Sequence, residues 1–295
     1  MELFRSLIFV PGNQPKMLGK AISFDADIIM VDLEDSVPPA EKVSAREVAK
    51  EWVAKLAKEA PRPSRKIMVR VNSLDTGLTQ YEVAAVAGPE LYGISLGKPE
   101  SVWDVREADR ILGAAEASAS LEHGSIKLIP WIESAKAVMA TQQMGEASPR
   151  VAALAFGAED YTNDMGIQRT DSGEEVFYPR AGVPVAARAA GVASLDSPFV
   201  AFRDPEALRR DVQVARQMGY TGKFAIHPSQ IEIINELFSP SNDEIAYARQ
   251  VVEAWNRAEA EGRGSADLDG RMIDVPVIKR AQNLLEFADA IRAQG

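Results

Sequence analysis

The sequence predicts an α/β protein: a (β/α)8 TIM barrel over residues 1–238, followed by a helical C-terminal arm over residues 239–295. Three observations predict it. Short apolar runs bounded by turn residues alternate with longer amphipathic stretches eight times within about 240 residues, which matches such a barrel in number and size. The runs are apolar on both faces, as strands are when helices cover a parallel sheet. Charged or polar side chains stand where several runs give out, and barrels carry their sites at that edge. A doubly wound open sheet is the alternative, but the turn after the first strand has no GxGxxG.

In chain order, the first strand is residues 6–10, ended by Pro11-Gly12-Asn13. A helix over 15–23 begins on Pro15, where the missing N–H costs nothing. Residues 28–33 form the second strand, which runs into Asp32, Glu34 and Asp35. A long amphipathic helix covers 38–58, Pro61-Arg62-Pro63 is a turn, and 66–71 is the third strand. A short helix over 78–86 precedes the fourth strand, 91–96, which ends at Gly97-Lys98-Pro99; a helix follows over 100–118. Residues 126–133 and 151–160 hold the fifth and sixth strands, separated by a helix over 134–144. Residues 161–178 read as a loop, too polar and irregular for a packed element. A helix over 180–190, a seventh strand over 194–200 and a helix over 205–218, N-capped by Asp204, come next. The eighth strand, 223–226, ends at His227-Pro228, and 229–237 is its helix. The arm holds helices over 243–261 and 276–293, joined by a flexible, acidic stretch between Gly262 and Gly270.

The bulk numbers exclude several chemistries. Net charge is −10, from 33 basic and 43 acidic residues. That argues against general nucleic-acid binding, while a local basic pocket for a phosphorylated ligand stays open. An apolar fraction of 46% supports a sizeable core. With no cysteine, thiol catalysis, disulfides and thiolate–zinc sites are excluded. His123 and His227 are the only histidines, so no HExxH zinc motif exists. The apolar residues 7–10 before Pro11 are too short for a signal peptide or a membrane span, and a cytoplasmic protein without membrane contact is expected.

Period-two alternation puts Asp32 and Glu34 on one face of the second strand, and Met68, Arg70 and Asn72 on one face of the third. Glu133 and Asp160 end the fifth and sixth runs, and His227 ends the eighth. The residues expected to converge are therefore four carboxylates, one guanidinium and one imidazole, with one divalent cation accounting for most of the negative charge. Glu133 and Asp160 offer hard oxygens with room for water, which suits Mg²⁺; alternatively, Glu133 is charge at a helix N-terminus and Asp160 a loop cap. Arg70 either neutralises Asp32 or Glu34 as a buried ion pair or meets a substrate. His227 is either a packed, hydrogen-bonded histidine or a base. Lys98 is either a salt-bridge partner or the Schiff-base lysine of a metal-free aldolase.

These residues carry a resemblance. Arg5-Ser6-Leu7-Ile8-Phe9-Val10-Pro11-Gly12, Asp32-Leu33-Glu34-Asp35-Ser36-Val37 and Arg70-Val71-Asn72 resemble successive motifs of the HpcH/HpaI aldolase and citrate lyase β-subunit family. So do Ile132-Glu133-Ser134, Phe156-Gly157-Ala158-Glu159-Asp160, Ile226-His227-Pro228-Ser229-Gln230 and Gly270-Arg271-Met272-Ile273-Asp274. Two positions depart from the pattern: Gly97 stands before Lys98 where the family often has proline, and Gln14 where some relatives have arginine.

The resemblance implies a Mg²⁺-dependent carbon–carbon lyase on a phosphoenolpyruvate/pyruvate-type barrel, with Mn²⁺ as an alternative cation. Its substrate would be a CoA thioester, a short 3-hydroxyacyl-CoA such as malyl-CoA or citramalyl-CoA. Cleavage gives acetyl-CoA and a 2-oxoacid, and Claisen-type condensation is the reverse. By position, Glu133 and Asp160 match the metal ligands, and Arg70 matches the arginine that contacts the reacting oxygens. Asp274 matches the aspartate that a neighbouring subunit's arm brings over the site, in a homotrimer or hexamer. Phe9, Lys20, Ile226, His227 and Pro228 match positions lining the CoA channel, with Asp32, Glu34 and Asp35 behind the reacting groups. Two other readings share the scaffold: a malyl-CoA-type thioesterase with Glu34 or Asp35 orienting a water, and the lyase subunit of a citrate lyase complex acting on an acyl carrier protein.

Overall fold

Eight apolar runs become parallel strands that close on themselves, each pairing with the next and the last with the first. The structure, a computed structural model, describes residues 2–62, 64–170 and 172–293, so Pro63 of the expected turn lies outside the described residues. The chain divides into two compact units: Phe4–Asn235, and the chain from Glu236 onward with the residues before Phe4.

The first unit is the barrel. In order it runs β1 (Ser6–Pro11), α1 (Pro15–Ala21), β2 (Ile28–Asp32), α2 (Lys42–Lys58), β3 (Lys66–Val71), α3 (Thr79–Val86), β4 (Gly93–Leu96) and α4 (Val102–Ser118). It continues with β5 (Lys127–Ile132), α5 (Ala135–Gly145), β6 (Ala153–Phe156), α6 (Ala158–Met165), α7 (Phe177–Ala190), β7 (Ala193–Asp196), α8 (Pro205–Met218), β8 (Gly222–Ala225) and the start of α9 (Ile231–Phe238), whose residues from Glu236 belong to the second unit. Closure depends on a glycine: a Cβ at Gly222 would lie 1.6 Å from the Phe4 carbonyl oxygen, so a side chain there would hold β8 off β1.

Alternation decides which side chains fill the interior. Ile28, Met30, Met68, Ile129, Trp131, Leu195 and Phe224 point inward and form one core cluster. The Trp131 and Phe224 rings lie 4.4 Å apart, with Phe9 stacked on Phe224 at 5.1 Å, and Trp131 Nε1 donates to Ser95 Oγ at 2.6 Å. That bond gives the buried indole N–H its partner. One step further along the same strand faces stand Asp32, Arg70 and Glu133. The β2–β3 register pairs Asp32 with Arg70 directly, which sets a carboxylate beside a guanidinium at the C-terminal rim.

The opposite end of the barrel is held by charge. Arg150, 1% exposed, donates to both oxygens of Glu116 at 2.5 and 2.7 Å and also bonds Asp109. Glu116 in turn accepts from the backbone N–H groups of Gly124 and Ile126.

Several expectations are corrected. Residues 161–178 are not a bare loop: α6 runs to Met165, a 3-10 turn spans Glu174–Val176, and α7 starts at Phe177. The sixth strand ends at Phe156, so Asp160 sits in the first turn of α6 rather than on a strand end. The α6 sequence hides its helix because it has few apolar residues. Its ends are set by Gly157 and by Gly166, which has a left-handed φ of 65°, while Glu159 and Asp160 complement the helix N-terminus. The fourth and seventh strands are shorter than expected, as Gly93–Leu96 and Ala193–Asp196.

The second unit packs α10 (Asn242–Ala260) against α11 (Val275–Arg292), through Ala248, Val251, Ala254, Ile273, Ile278 and Ala281. The stretch expected to be flexible holds an antiparallel hairpin, β9 (Ala266–Leu268) with β10 (Arg271–Ile273). Its two-residue turn is Asp269-Gly270, with φ of 52° and 75°. Two positive φ angles in an Asp-Gly loop match the twist of the flanking strands, a strong hairpin signal that the acidic character of the stretch obscured. Asp274 follows β10 and N-caps α11, its Oδ1 accepting from Val277 N at 3.2 Å.

Candidate active site

At the C-terminal rim Arg70 is gripped by carboxylates. Its Nε and Nη2 donate to the two oxygens of Asp32 at 2.8 and 2.7 Å, while Nη1 lies 3.1 Å from Glu34 Oε2 and 3.2 Å from Asp35 Oδ2. The guanidinium carbon stands 4.7 Å from the centroid of the Phe9 ring. Burial opposes its charge, but Asp32, Glu34 and Asp35 outweigh that and hold it protonated. Asp32 is almost wholly buried; burial pushes its carboxyl up, and Arg70, with the Ser36 side chain and the N–H of Glu34, pulls it below the usual range. The ion pair that alternation suggested is therefore real, and Arg70 still borders a cavity.

That cavity, about 510 Å³, is lined by Phe9, Arg70, Trp131, Glu133, Asp160 and Ile226, among others. Glu133 and Asp160 also border a second cavity of about 490 Å³, where Asp75, Glu100, Asp104 and Asp164 make the walls acidic. The two carboxylates thus border two cavities, one holding Arg70 and the aromatic rings of Phe9 and Trp131, the other Lys98 and four further carboxylates.

Glu133 lies just past β5 and is 6% exposed. Burial first, then the Asp160 and Glu34 carboxylates, push its pKa up to about 8. Its Oε1 accepts from the main-chain N–H of Lys98 at 2.5 Å. Its other side is open only because residue 157 is glycine: a Cβ there would sit 2.5 Å from Glu133 Oε2. Asp160 is held through α6. The first N–H of that helix, Ala158 N, donates to Ser197 Oγ at 2.9 Å; Ser197 Oγ donates to Phe156 O, and Asp164 Oδ2 accepts from Ala135 N of α5.

This donor set fits a hard cation. Crowded carboxylate oxygens, in a chain without cysteine and with His227 in another cavity, are the chemistry of Mg²⁺ or Mn²⁺, and a cation would relieve the repulsion that helps to raise Glu133. Among the described residues no three or more His, Cys, Asp or Glu side chains are arranged around one metal position, so the fit is to a two-carboxylate site. Such a site leaves positions for water or substrate oxygens.

Lys98 resolves in favour of the salt bridge. Its Nζ lies 2.9 Å from Glu34 Oε1, 3.4 Å from Asp35 Oδ1 and 3.9 Å from Asp160 Oδ1. Partial burial works against the ammonium, but these three carboxylates keep it charged well above the ordinary lysine range, the opposite of what a Schiff-base nucleophile needs.

Not every expected residue converges. The imidazole is absent from the rim set: β8 ends at Ala225, and the following 3-10 turn carries His227 to a different cavity beside Phe202 and Arg203. There its ring stacks on Phe202 at 4.9 Å and its Nδ1 caps the turn through Ser229. Ile226 lines the Arg70 cavity, whereas Pro228 opens the 3-10 turn. Lys20 is exposed in the last turn of α1, and Met17 one turn earlier lines the Arg70 cavity instead. Asn72 is buried and turned to Glu82 and the Leu33 carbonyl. Sequence reasoning missed Ser197, Gly157 and the Lys98 N–H.

Residues 5–228 match the HpcH/HpaI aldolase/citrate lyase family over the barrel and all of the rim residues above. The chain belongs to that family. Citrate lyase subunit beta of Leuconostoc mesenteroides subsp. cremoris is 37% identical, over 98% of this chain and 94% of that relative. The L-malyl-CoA/beta-methylmalyl-CoA lyase of Cereibacter sphaeroides is 32% identical, over 98% of this chain and 96% of the relative. Among solved structures, the CitE protein of Mycobacterium tuberculosis in complex with magnesium, acetoacetate and coenzyme A superposes with a TM-score of 0.76 at 27% identity, covering 96% of this chain and 97% of that one. As a member of the HpcH/HpaI aldolase/citrate lyase family, the chain is a lyase. No helix among the described residues is long and apolar enough to cross a membrane.

Proposed function

We propose that the chain is a Mg²⁺-dependent carbon–carbon lyase for a short 3-hydroxyacyl thioester, cleaving it to acetyl thioester and a 2-oxoacid or running the condensation in reverse. One observation carries this reading: the Arg70 guanidinium and the crowded Glu133 and Asp160 carboxylates border one hollow that Phe9, Trp131 and Ile226 also line. An anionic substrate fits beside Arg70, the fixed guanidinium on that side of the carboxylate pair. The magnesium and coenzyme A of the mycobacterial relative, and the names of the malyl-CoA lyases, support it.

Glu133 and Asp160 would hold the cation. When bound, it supplies Lewis-acid polarisation of the reacting oxygens. Arg70, fixed by Asp32, stabilises the negative charge that develops as the carbon–carbon bond breaks. Phe9 and Trp131 wall the hollow and exclude water from the enolate. A proton must then be delivered to the enolate carbon, or taken from the methyl group in reverse. Asp274 fills that role when the C-terminal arm covers a neighbouring subunit's barrel in a trimer or hexamer; exposed Met272 and Val275 flank it as an edge suited to being covered. Lys20 meets a phosphate of the CoA, with Ile226, His227 and Pro228 along its channel.

Glu133→Ala and Asp160→Ala test the reading, together with chelator and Mg²⁺ add-back on the wild type. Both variants should lose cleavage while folding normally, and chelated wild type should recover with Mg²⁺. Full activity in either variant would overturn the assignment. A second reading follows from the 37% relative: a citrate lyase β subunit acting on a thioester of an acyl carrier protein. It predicts a purified chain that is inert on CoA thioesters and active once the carrier is supplied.

A further inference from the structure

The corner between β4 and α4 takes no part in the steps above, yet it touches both candidate cation ligands. Lys98 has a φ of 56°, the left-handed region that side chains other than glycine avoid. The conformation turns its N–H onto Glu133 Oε1 at 2.5 Å and leaves its ammonium among Glu34, Asp35 and Asp160. The neighbouring glycine serves a different need, since a Cβ at Gly97 would sit 2.7 Å from Glu34 Oε1. A lysine, and not the glycine that the backbone favours, therefore occupies position 98.

We propose that Lys98 is the positioning residue that sets the affinity of the divalent-cation site: its N–H engages one oxygen of Glu133, and its ammonium acts as a resident counter-charge to Asp160, Glu34 and Asp35. The inference rests on the cation reading above. A fixed positive charge a few ångströms from a divalent ion weakens its binding, so removing the charge tightens it. The ammonium also keeps Glu34 and Asp35 engaged with protein groups, so that Glu133 and Asp160 remain the ligands.

The test is Mn²⁺ binding to the purified full chain without substrate, followed by electron paramagnetic resonance of free Mn²⁺ and by calorimetry. Lys98→Met keeps the N–H and the apolar stem and loses the charge. Its Kd should fall about tenfold at low salt, an order-of-magnitude figure for one unit charge near a divalent ion at a half-exposed site, and the gap should narrow as salt rises. Lys98→Arg should restore the wild-type Kd. Lys98→Gly, which also relieves the backbone, should tighten binding as the methionine does and serves if the methionine variant fails to fold. A lysine of merely structural importance predicts weaker binding on removal; unchanged or weaker binding in the methionine and glycine variants overturns the proposal. A wild type that binds no Mn²⁺ overturns the cation reading itself, and the role of Lys98 with it.

Discussion

Arg70 meets Asp32 along two parallel hydrogen bonds, Nε to Oδ1 at 2.8 Å and Nη2 to Oδ2 at 2.7 Å. The pairing aims a fixed, planar charge at the hollow beside Glu133. Lysine keeps the charge but not the two-pronged geometry. Arg70→Lys should therefore lower kcat by about 100-fold or more, the scale of losing one electrostatic contact to developing charge. Steady-state cleavage kinetics beside a thermal melt would check this; an unaltered kcat in a folded variant would remove Arg70 from the chemistry.

Gly157 is required by Glu133. A methyl group there would lie 2.5 Å from Glu133 Oε2 and 2.7 Å from its Cβ. Gly157→Ala should displace the carboxylate, abolishing Mn²⁺ binding and cleavage while circular dichroism stays native. Wild-type Mn²⁺ affinity in this variant would show that Glu133 is not a ligand.

Glu116 and Arg150 predict an acid-labile clasp at the far end of the barrel. Burial pushes the Glu116 carboxyl up, but Arg150 and two backbone N–H groups outweigh it and bring the pKa to about 2. A folded pKa below the unfolded one stabilises the fold fully above about pH 4.5, and that contribution is lost as pH falls toward 2. The linkage amounts to about 3 kcal/mol at neutral pH. Glu116→Gln should be less stable at pH 7, with a flatter dependence of melting temperature on pH between 4.5 and 2. Parallel melting curves for variant and wild type would refute the assignment.

The arm can be tested by complementation. Asp160→Ala and Asp274→Asn should each be inactive. If Asp274 serves a neighbour's barrel, mixed oligomers at equal amounts regain about a quarter of wild-type activity, because about a quarter of sites draw both intact residues under random assembly. No recovery, with subunit exchange confirmed by native mass spectrometry, would place the arm over its own barrel.

The barrel was legible because eight apolar runs share one period and one spacing, and the Asp32–Arg70 pair because alternation puts both on inward faces. What escaped depended on local chemistry that apolar periodicity does not carry. Helix α6 is marked by Gly157 and Gly166 rather than by an apolar stripe, and the β9–β10 hairpin by Asp269-Gly270. Ser197 reaches α6 across 39 residues of chain, a contact no local pattern announces. His227 was set on the rim by extending β8 too far; the strand stops at Ala225 and the chain turns away.

The most direct measurement of the central claim is product identity. Purified protein with Mg²⁺ is given malyl-CoA or citramalyl-CoA, and the products are resolved by mass spectrometry with and without chelator. A carbon–carbon lyase gives acetyl-CoA with glyoxylate or pyruvate, only when Mg²⁺ is present. Free CoA with the intact hydroxy acid, or cleavage that persists in chelator with borohydride trapping substrate on Lys98, would contradict the account.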